Sequence, residues 1–330
     1  MLIKKILIIG FGSIGKRHYK NLKKINSKFQ ITFLCRESSK KSFQEASFIH
    51  KISDIQLIKP DCALICNPSS MHIESAIYLI DNNINFFVEK PLSNSIENLK
   101  ILNERVSKKN IKAMVGFNLR FNKSMLKMKE IINSKKFGNI LSIKIEVGQF
   151  LPMWRQGINY QDYVSSNKKL GGGALLELCH EIDYLQWIFG RAKSISSNLK
   201  KVSSMDIDVE DIVNAIIDVD IDGKDIPCTI HLDFLQHKKV RNCKVIFDDF
   251  TLYLDLVKDC IKVYQNEKIV YSYNEPQNPN TMYLNEMEEF LNYLNNDIKS
   301  PISIAEGIKA QQLIHLIYKS SLDKKRIMCE

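Results

Sequence analysis

In KILIIGFGSIGKRHYK, residues 5–20, an apolar run from Ile6 to Ile9 flows into Gly10, Gly12 and Gly15 and then into a helix-forming stretch. A buried strand, a tight glycine turn and a helix N-terminus make an anion site, because free backbone N–H groups and the helix dipole converge there. Gly10 permits the turn, Gly12 lets a pyrophosphate approach the backbone, and Gly15 lets the helix lie close to the strand. The spacing is that of a dinucleotide fingerprint, with the backbone of Gly10, Gly12, Ser13, Ile14 and Gly15 as its expected contacts. Three glycines alone also fit an ordinary strand-to-helix turn. The strand before and the helix after favour the dinucleotide.

Working outward, 330 residues exceed what one hydrophobic core usually serves, so two domains are expected. An apolar fraction of 45% and a charged fraction of 25% are ordinary for a globular chain and exclude disorder. The net charge of +10 comes from scattered lysines rather than one basic stripe, which argues against nucleic acid and leaves a mild pull on anionic small molecules. Eight cysteines form no CxxC pair and no regular spacing, so they read as reduced and no metal is expected. The apolar N-terminal stretch runs into the glycine turn rather than a cleavage site, and no segment has the length to span a bilayer. The expectation is a cytoplasmic protein without a membrane partner.

Up to residue 120 short apolar runs alternate with helical ones. Strands are expected at 2–9, 31–35, 62–66, 86–88 and 112–117, and helices at 13–25, 71–82, 95–109 and 123–136. That alternation predicts an α/β fold with a doubly wound parallel sheet in residues 1–120. Beyond residue 138 the period becomes two. Leu141, Ile143, Ile145 and Val147 alternate with polar residues, and Val213–Ile221, Cys228–Phe234 and Phe250–Leu256 repeat the pattern. One-faced alternation predicts an open, mainly antiparallel sheet in residues 121–330. Helices near 281–295 and 303–320 close this second domain, the latter opened by Ser303 and Glu306 in capping-box spacing.

Two constellations could carry chemistry. Phe86-Phe-Val-Glu-Lys-Pro-Leu92 ends a parallel strand with a charged pair and a proline, and ligands in doubly wound sheets lie beyond the carboxyl ends of strands. Read alone, Lys90-Pro91 is equally a surface turn. Residues 171–190, GGGALLELCHEIDYLQWIFG, read as three glycines opening one helix that Gly190 closes. On that helix Leu178, Ile182, Leu185 and Phe189 form an apolar stripe. His180 and Asp183 point away from it at i, i+3, with Tyr184 and Trp187 on roughly the same side. The polar side is either a solvated surface or the wall of a ligand cleft.

These residues together resemble the Gfo/Idh/MocA oxidoreductases. The resemblance runs in order through Gly10–Gly15, Asn67-Pro68, Glu89-Lys90-Pro91, Gly116-Phe-Asn-Leu-Arg120, Gly171–Gly173, His180 with Asp183, and a C-terminal helix. It implies a Rossmann domain, a nicotinamide cofactor, and a second α/β domain whose open sheet serves oligomer contacts in a dimer or tetramer. Carried over by position, Lys90 is the catalytic-site lysine, His180 the acid/base and Asp183 a substrate or orienting contact. Asn67, Pro68, His72 and Glu89 fall near the cofactor, and Asn118 and Arg120 near the substrate. Where the family commonly has aspartate four residues before the histidine, this chain has Glu177 three before His180, so a shifted helix start is expected.

The residue types suit hydride chemistry. An imidazole with a pKa of about 6.5 can take a hydroxyl proton near working pH. An ammonium can stabilise the same oxygen as charge develops on it. After the second strand comes Cys35-Arg-Glu-Ser38, where Arg36, assisted by Ser38 and Lys40, favours the 2′-phosphate of NADP, while Glu37 could still reach the ribose of NAD. Trp154, Arg155 and Tyr163 form an aromatic and charged loop that suits a sugar or phosphate, or is an ordinary surface loop.

The leading expectation is an NAD- or NADP-dependent dehydrogenase or reductase. It acts on a hydroxyl or keto carbon of a sugar, aminosugar, sugar phosphate or nucleotide sugar. An imine or enone reductase on the same site and a nucleotide-sensing regulatory protein without turnover are the alternatives.

Overall fold

The computed structural model describes residues 3–37, 46–155 and 157–329. They divide into two compact units, one of Met1–Asn118 with Pro279–Gln311, the other of Leu119–Asn278 with Gln312–Glu330.

The first unit alternates β1 (Lys5–Ile9), α1 (Ser13–Ile25), β2 (Gln30–Leu34), β3 (Ser47–Ile49), α2 (Ile55–Ile58), β4 (Cys62–Ile65), α3 (His72–Asp81), β5 (Asn85–Glu89), α4 (Leu99–Lys108) and β6 (Ala113–Gly116). Its six strands run in the order β3-β2-β1-β4-β5-β6, every pair parallel. This is the doubly wound order 3-2-1-4-5-6, with a chain reversal between β1 and β4. The strands can be continuous apolar runs because helices bury both faces; Ile6–Ile9, Cys62–Ile65 and Phe86–Val88 are all buried. β3 was not anticipated: three residues are too few to show a period.

Pro279–Gln311, expected in the second domain, belongs to this first unit. It holds α8 (Thr281–Asn295) and the start of α9 (Ile304–Asp323). α8 packs against α1, and Phe290 lies 5.6 Å, centroid to centroid, from Phe87 of β5. Lys112 Nζ donates to the Asn296 carbonyl at 2.6 Å, and Val115 N–H to the Ile302 carbonyl at 3.0 Å. An amphipathic pattern says that a helix has an apolar side but not which sheet it covers. The capping box forms as expected, with Ser303 N–H on Glu306 Oε2 at 2.9 Å and Glu306 N–H on Ser303 Oγ at 3.2 Å.

The second unit comprises α5 (Lys123–Asn133), β7 (Ile140–Gly148), α6 (Ala174–Glu177), α7 (His180–Tyr184) and β8 (Ala192–Lys200). Then follow β9 (Ile212–Ile221), β10 (Lys224–Asp233), β11 (Val240–Phe247), β12 (Thr251–Asp255), β13 (Cys260–Gln265), β14 (Lys268–Asn274) and β15 (Ile327–Met328). The nine strands are ordered β14-β13-β12-β11-β7-β10-β9-β8-β15, and only β7 and β10 pair in parallel. Ile143, Ile145, Val147, Val213, Ala215, Ile217, Val219, Cys228, Ile230 and Leu232 are buried, as their alternation demands, and α6 packs on β9 and β10. Leu141 departs from the pattern and is exposed. One outward row crosses the sheet through Ile216, Thr229, Lys144, Lys244, Tyr253 and Lys262.

Candidate active site

Local sterics sort the three glycines of the first turn. Gly10 has φ +108°, and a Cβ there would stand 2.7 Å from backbone atoms of Cys66 and Asn67. A Cβ on Gly15 would stand 2.4 Å from the Gly10 carbonyl oxygen, so α1 can lie against β1 only with glycine there. At Gly12 a Cβ meets nothing within 4 Å. The turn is thus packed from beneath and open at the helix N-terminus, where Gly12 supplies no capping side chain and the first turn of α1 holds no acidic residue. That is the space and polarity a pyrophosphate needs, and the residues fit a bound dinucleotide.

Around this turn the carboxyl ends of β4 and β5 are cross-braced. His72, fully buried on α3, has Nδ1 and Nε2 each 2.9 Å from a carbonyl oxygen, of Pro91 and Asn67 respectively. Burial pushes its pKa down, and the two carbonyls oppose that. The imidazole, expected near the nicotinamide, braces two backbone segments. Asn67 Nδ2 donates to Ser75 Oγ at 3.0 Å, and its buried Oδ1 has no hydrogen-bond partner among the described residues. Pro68 precedes the short turn that starts α3.

Glu89, expected among the cofactor contacts, turns into the interior. Oε1 lies 2.6 Å from His18 Nε2, and Oε2 accepts the Lys90 backbone N–H at 3.1 Å. Lys90 itself is half-buried at the carboxyl end of β5, followed by a cis peptide to Pro91. Arg36 and Glu37 are exposed just beyond β2. Ser38 and Lys40 lie outside the described residues.

In the second unit the single helix expected after the glycine triplet is three pieces: α6, α7 and a π-helical turn over Leu185–Phe189. Leu178 and Cys179 interrupt it, so His180 opens α7 rather than sitting mid-helix. The four residues of the expected apolar stripe, Leu178, Ile182, Leu185 and Phe189, are all buried, and so is Tyr184, placed on the polar side.

Beyond the break, two acidic side chains, Glu181 and Asp183, are buried and paired with arginines. Arg120 grips Asp183 through two bonds, Nε to Oδ2 at 3.0 Å and NH2 to Oδ1 at 2.7 Å. Arg241 of β11 grips Glu181 likewise, Nε to Oε1 at 2.8 Å and NH2 to Oε2 at 2.9 Å. Two forked guanidinium–carboxylate pairs therefore hold alternate residues after His180. Asp183, expected as a substrate or orienting contact, accepts both of these bonds from Arg120. Arg120, expected near substrate, is buried, with its guanidinium 5.3 Å from the Trp187 ring centroid.

Upstream, Gly173 has φ +114°, and a Cβ there would stand 2.5 Å from the Glu210 carboxylate. Glu210 Oε1 accepts the Leu175 N–H at 3.1 Å and the Tyr318 hydroxyl at 2.7 Å, while burial pushes its pKa up.

The aromatic loop is largely bound to itself. Tyr163 is buried and donates its hydroxyl to the Arg155 carbonyl at 3.0 Å, and the Arg155 guanidinium stacks 4.7 Å over its ring. Trp154 donates from Nε1 to the Gln149 carbonyl at 3.0 Å and meets Phe234 edge-on. Tyr163, expected as a substrate contact, is packed within its own loop. Asn118, buried in the first unit, has an Oδ1 without a hydrogen-bond partner among the described residues.

His18, Glu286, Glu181, Arg241 and Glu210 were not singled out from sequence. One signal was present: Glu286 lies on the α8 face carrying Met287, Phe290 and Leu291, a carboxyl at a position that burial should exclude. All eight cysteines are free, and no described helix is long and apolar enough to cross a membrane.

Comparison with known proteins agrees with this arrangement. Residues 4–117 match the oxidoreductase family with an NAD-binding Rossmann fold, and residues 125–249 match the GFO/IDH/MocA C-terminal domain. Glucose-6-phosphate 3-dehydrogenase of Bacillus subtilis (strain 168) is 28% identical over 193 residues, which cover 57% of this chain and 54% of that protein. Myo-inositol 2-dehydrogenase of Thermotoga maritima is 26% identical over 193 residues, 56% of this chain and 55% of its own length. The chain thus spans about half the length of these curated relatives. The WlbA dehydrogenase of Bordetella pertussis, solved with NADH and UDP-GlcNAcA, shares the fold at TM-score 0.82 and 18% identity, covering 100% of this chain and 99% of that one. Levoglucosan dehydrogenase with NADH does so at TM-score 0.85 and 18% identity, covering 99% of each. With matches in both units that together take in most of its length, the chain belongs to the Gfo/Idh/MocA oxidoreductase family.

Proposed function

We propose that this protein is an NAD(P)-dependent dehydrogenase or reductase acting on a hydroxyl or keto carbon of a sugar-like substrate. The observation that carries the proposal is the glycine turn, packed at Gly10 and Gly15 and open at Gly12. The relatives named for glucose 6-phosphate and myo-inositol support a polyol or sugar-derived substrate.

When bound, the nicotinamide exchanges a hydride with the substrate carbon. The protein's part is to hold the substrate oxygen and move its proton. Lys90 donates a hydrogen bond to that oxygen as negative charge develops on it. His180 takes the hydroxyl proton in oxidation and returns it in reduction. Asp183, held by Arg120, keeps the segment that follows His180 in place. Replacing either Lys90 or His180 by an apolar residue should lower kcat by about 10²–10⁴-fold while the cofactor Kd stays nearly intact. Steady-state rates on a panel of sugars and polyols, with fluorescence titration of the reduced cofactor, test this. Unchanged turnover in both variants would remove the assignment.

Exposed Arg36 favours NADP by pairing with a 2′-phosphate. Arg36→Ala should then weaken NADPH binding by tenfold or more and leave NADH binding nearly alone; tighter NADH binding by the unaltered protein would refute the preference. The outward row containing Ile216 and Tyr253 is proposed as the contact face of a dimer or tetramer. Ile216→Asp should lower the mass seen by light scattering.

A further inference from the structure

Three groups from separate elements meet inside the first unit: His18 of α1, Glu89 at the end of β5 and Glu286 of α8. Their ligating atoms all lie within 4.8 Å of one another. His18 and Glu286 are wholly buried. His18 Nδ1 and both Glu286 carboxylate oxygens are buried without a hydrogen-bond partner among the described residues.

Such a set invites a metal reading, and distance argues against it. Ligands each about 2.0–2.2 Å from one zinc ion would stand roughly 3 Å or more apart, whereas His18 Nε2 and Glu89 Oε1 are 2.6 Å apart. That separation is a direct hydrogen bond between the two side chains. Two carboxylates this close in a dry interior cannot both ionise readily. Burial first, and the charge of Glu89 second, push the Glu286 carboxyl well above the usual range, so it is the member that keeps its proton.

Glu89 is the hinge of the arrangement. One oxygen faces His18 on the helix that follows the glycine turn, and the other accepts the backbone N–H of Lys90. We infer that His18 and Glu286 are positioning residues for Lys90: the His18 imidazole holds one oxygen of Glu89, the Glu286 carboxyl closes the buried side of the cluster, and the other oxygen of Glu89 fixes the Lys90 backbone. The inference rests on the proposed role of Lys90. Other titratable groups facing the cluster are His72 from α3 and Cys66 beyond β4, which feel the charge of Glu89, and Tyr283 of α8, with Arg17 of α1 lying 4.4 Å from its ring centroid.

The test compares His18→Phe, His18→Gln, Glu286→Leu, Glu286→Gln and Lys90→Met in the full chain, reading kcat, its pH profile and the Kd of reduced cofactor. His18→Phe keeps ring packing against Phe87 but has no N–H; it should lower kcat at least tenfold and shift the basic limb of the pH profile, with Kd changed less than threefold. His18→Gln, which supplies an N–H, should recover kcat to within threefold. Glu286→Leu should be impaired and Glu286→Gln, neutral and of the same shape, should recover. Wild-type kcat in His18→Phe, or no recovery in either conservative variant, overturns the inference. Undiminished turnover in Lys90→Met removes the lysine reading itself, a separate failure.

Discussion

Arg120 and Asp183 show what a single buried pair does for this protein. Both side chains are shielded from water and joined through two parallel hydrogen bonds. Removing one partner strands the other charge in a dry interior, which typically costs about 3–5 kcal/mol. Arg120→Ala should therefore lower the melting temperature strongly in calorimetry. Arg120→Lys should recover only part, because an ammonium cannot make the two parallel bonds. A variant melting within a degree of the unaltered protein would contradict this. From sequence both residues were legible as site candidates by their motif positions, but their pairing was not. The i, i+3 spacing suggested that Asp183 reaches His180, and it could not show that an arginine sixty-three positions away binds the same carboxylate.

At the scale of elements, α8 brings Glu286 into the first unit's interior, and the consequence is a pH dependence of defined sign. Its folded pKa is raised above the ordinary 4.5, mainly by burial. Protons are then bound more tightly in the folded state, so the contribution to stability is full below about pH 4.5 and is lost as pH rises through the folded value. Glu286→Gln has no proton to lose. Its melting temperature relative to the unaltered protein should rise from pH 5 to pH 8.5, and a constant difference across that range would show that the group titrates normally. Helix boundaries such as Ser13–Ile25 and Thr281–Asn295 were readable from apolar spacing. The break at Leu178–Cys179 was not: apolar spacing runs on across it, and the arginines that hold Glu181 and Asp183 come from distant segments.

For the whole molecule, ligand linkage gives a test that needs no substrate. A cofactor that binds only the folded state at 100 times its Kd adds about 2.7 kcal/mol. NADPH and NADH should each raise the melting temperature, with NADPH raising it more at equal concentration if Arg36 pairs with the 2′-phosphate. No shift with either cofactor would remove the dinucleotide site.

Sequence by itself determined the class of both sheets and the glycine turn, and singled out Lys90 and His180 as candidates. Each of these depends on local periodicity, on steric freedom at single residues, or on motif order along the chain. Tertiary structure alone decided that Pro279–Gln311 joins the first unit, that Glu89 faces His18 and Glu286, that Tyr163 is packed, and that Asp183 pairs with Arg120. Each of those outcomes is a choice among partners remote in sequence. Burial makes the choice energetically decisive, and nothing in the local pattern records it.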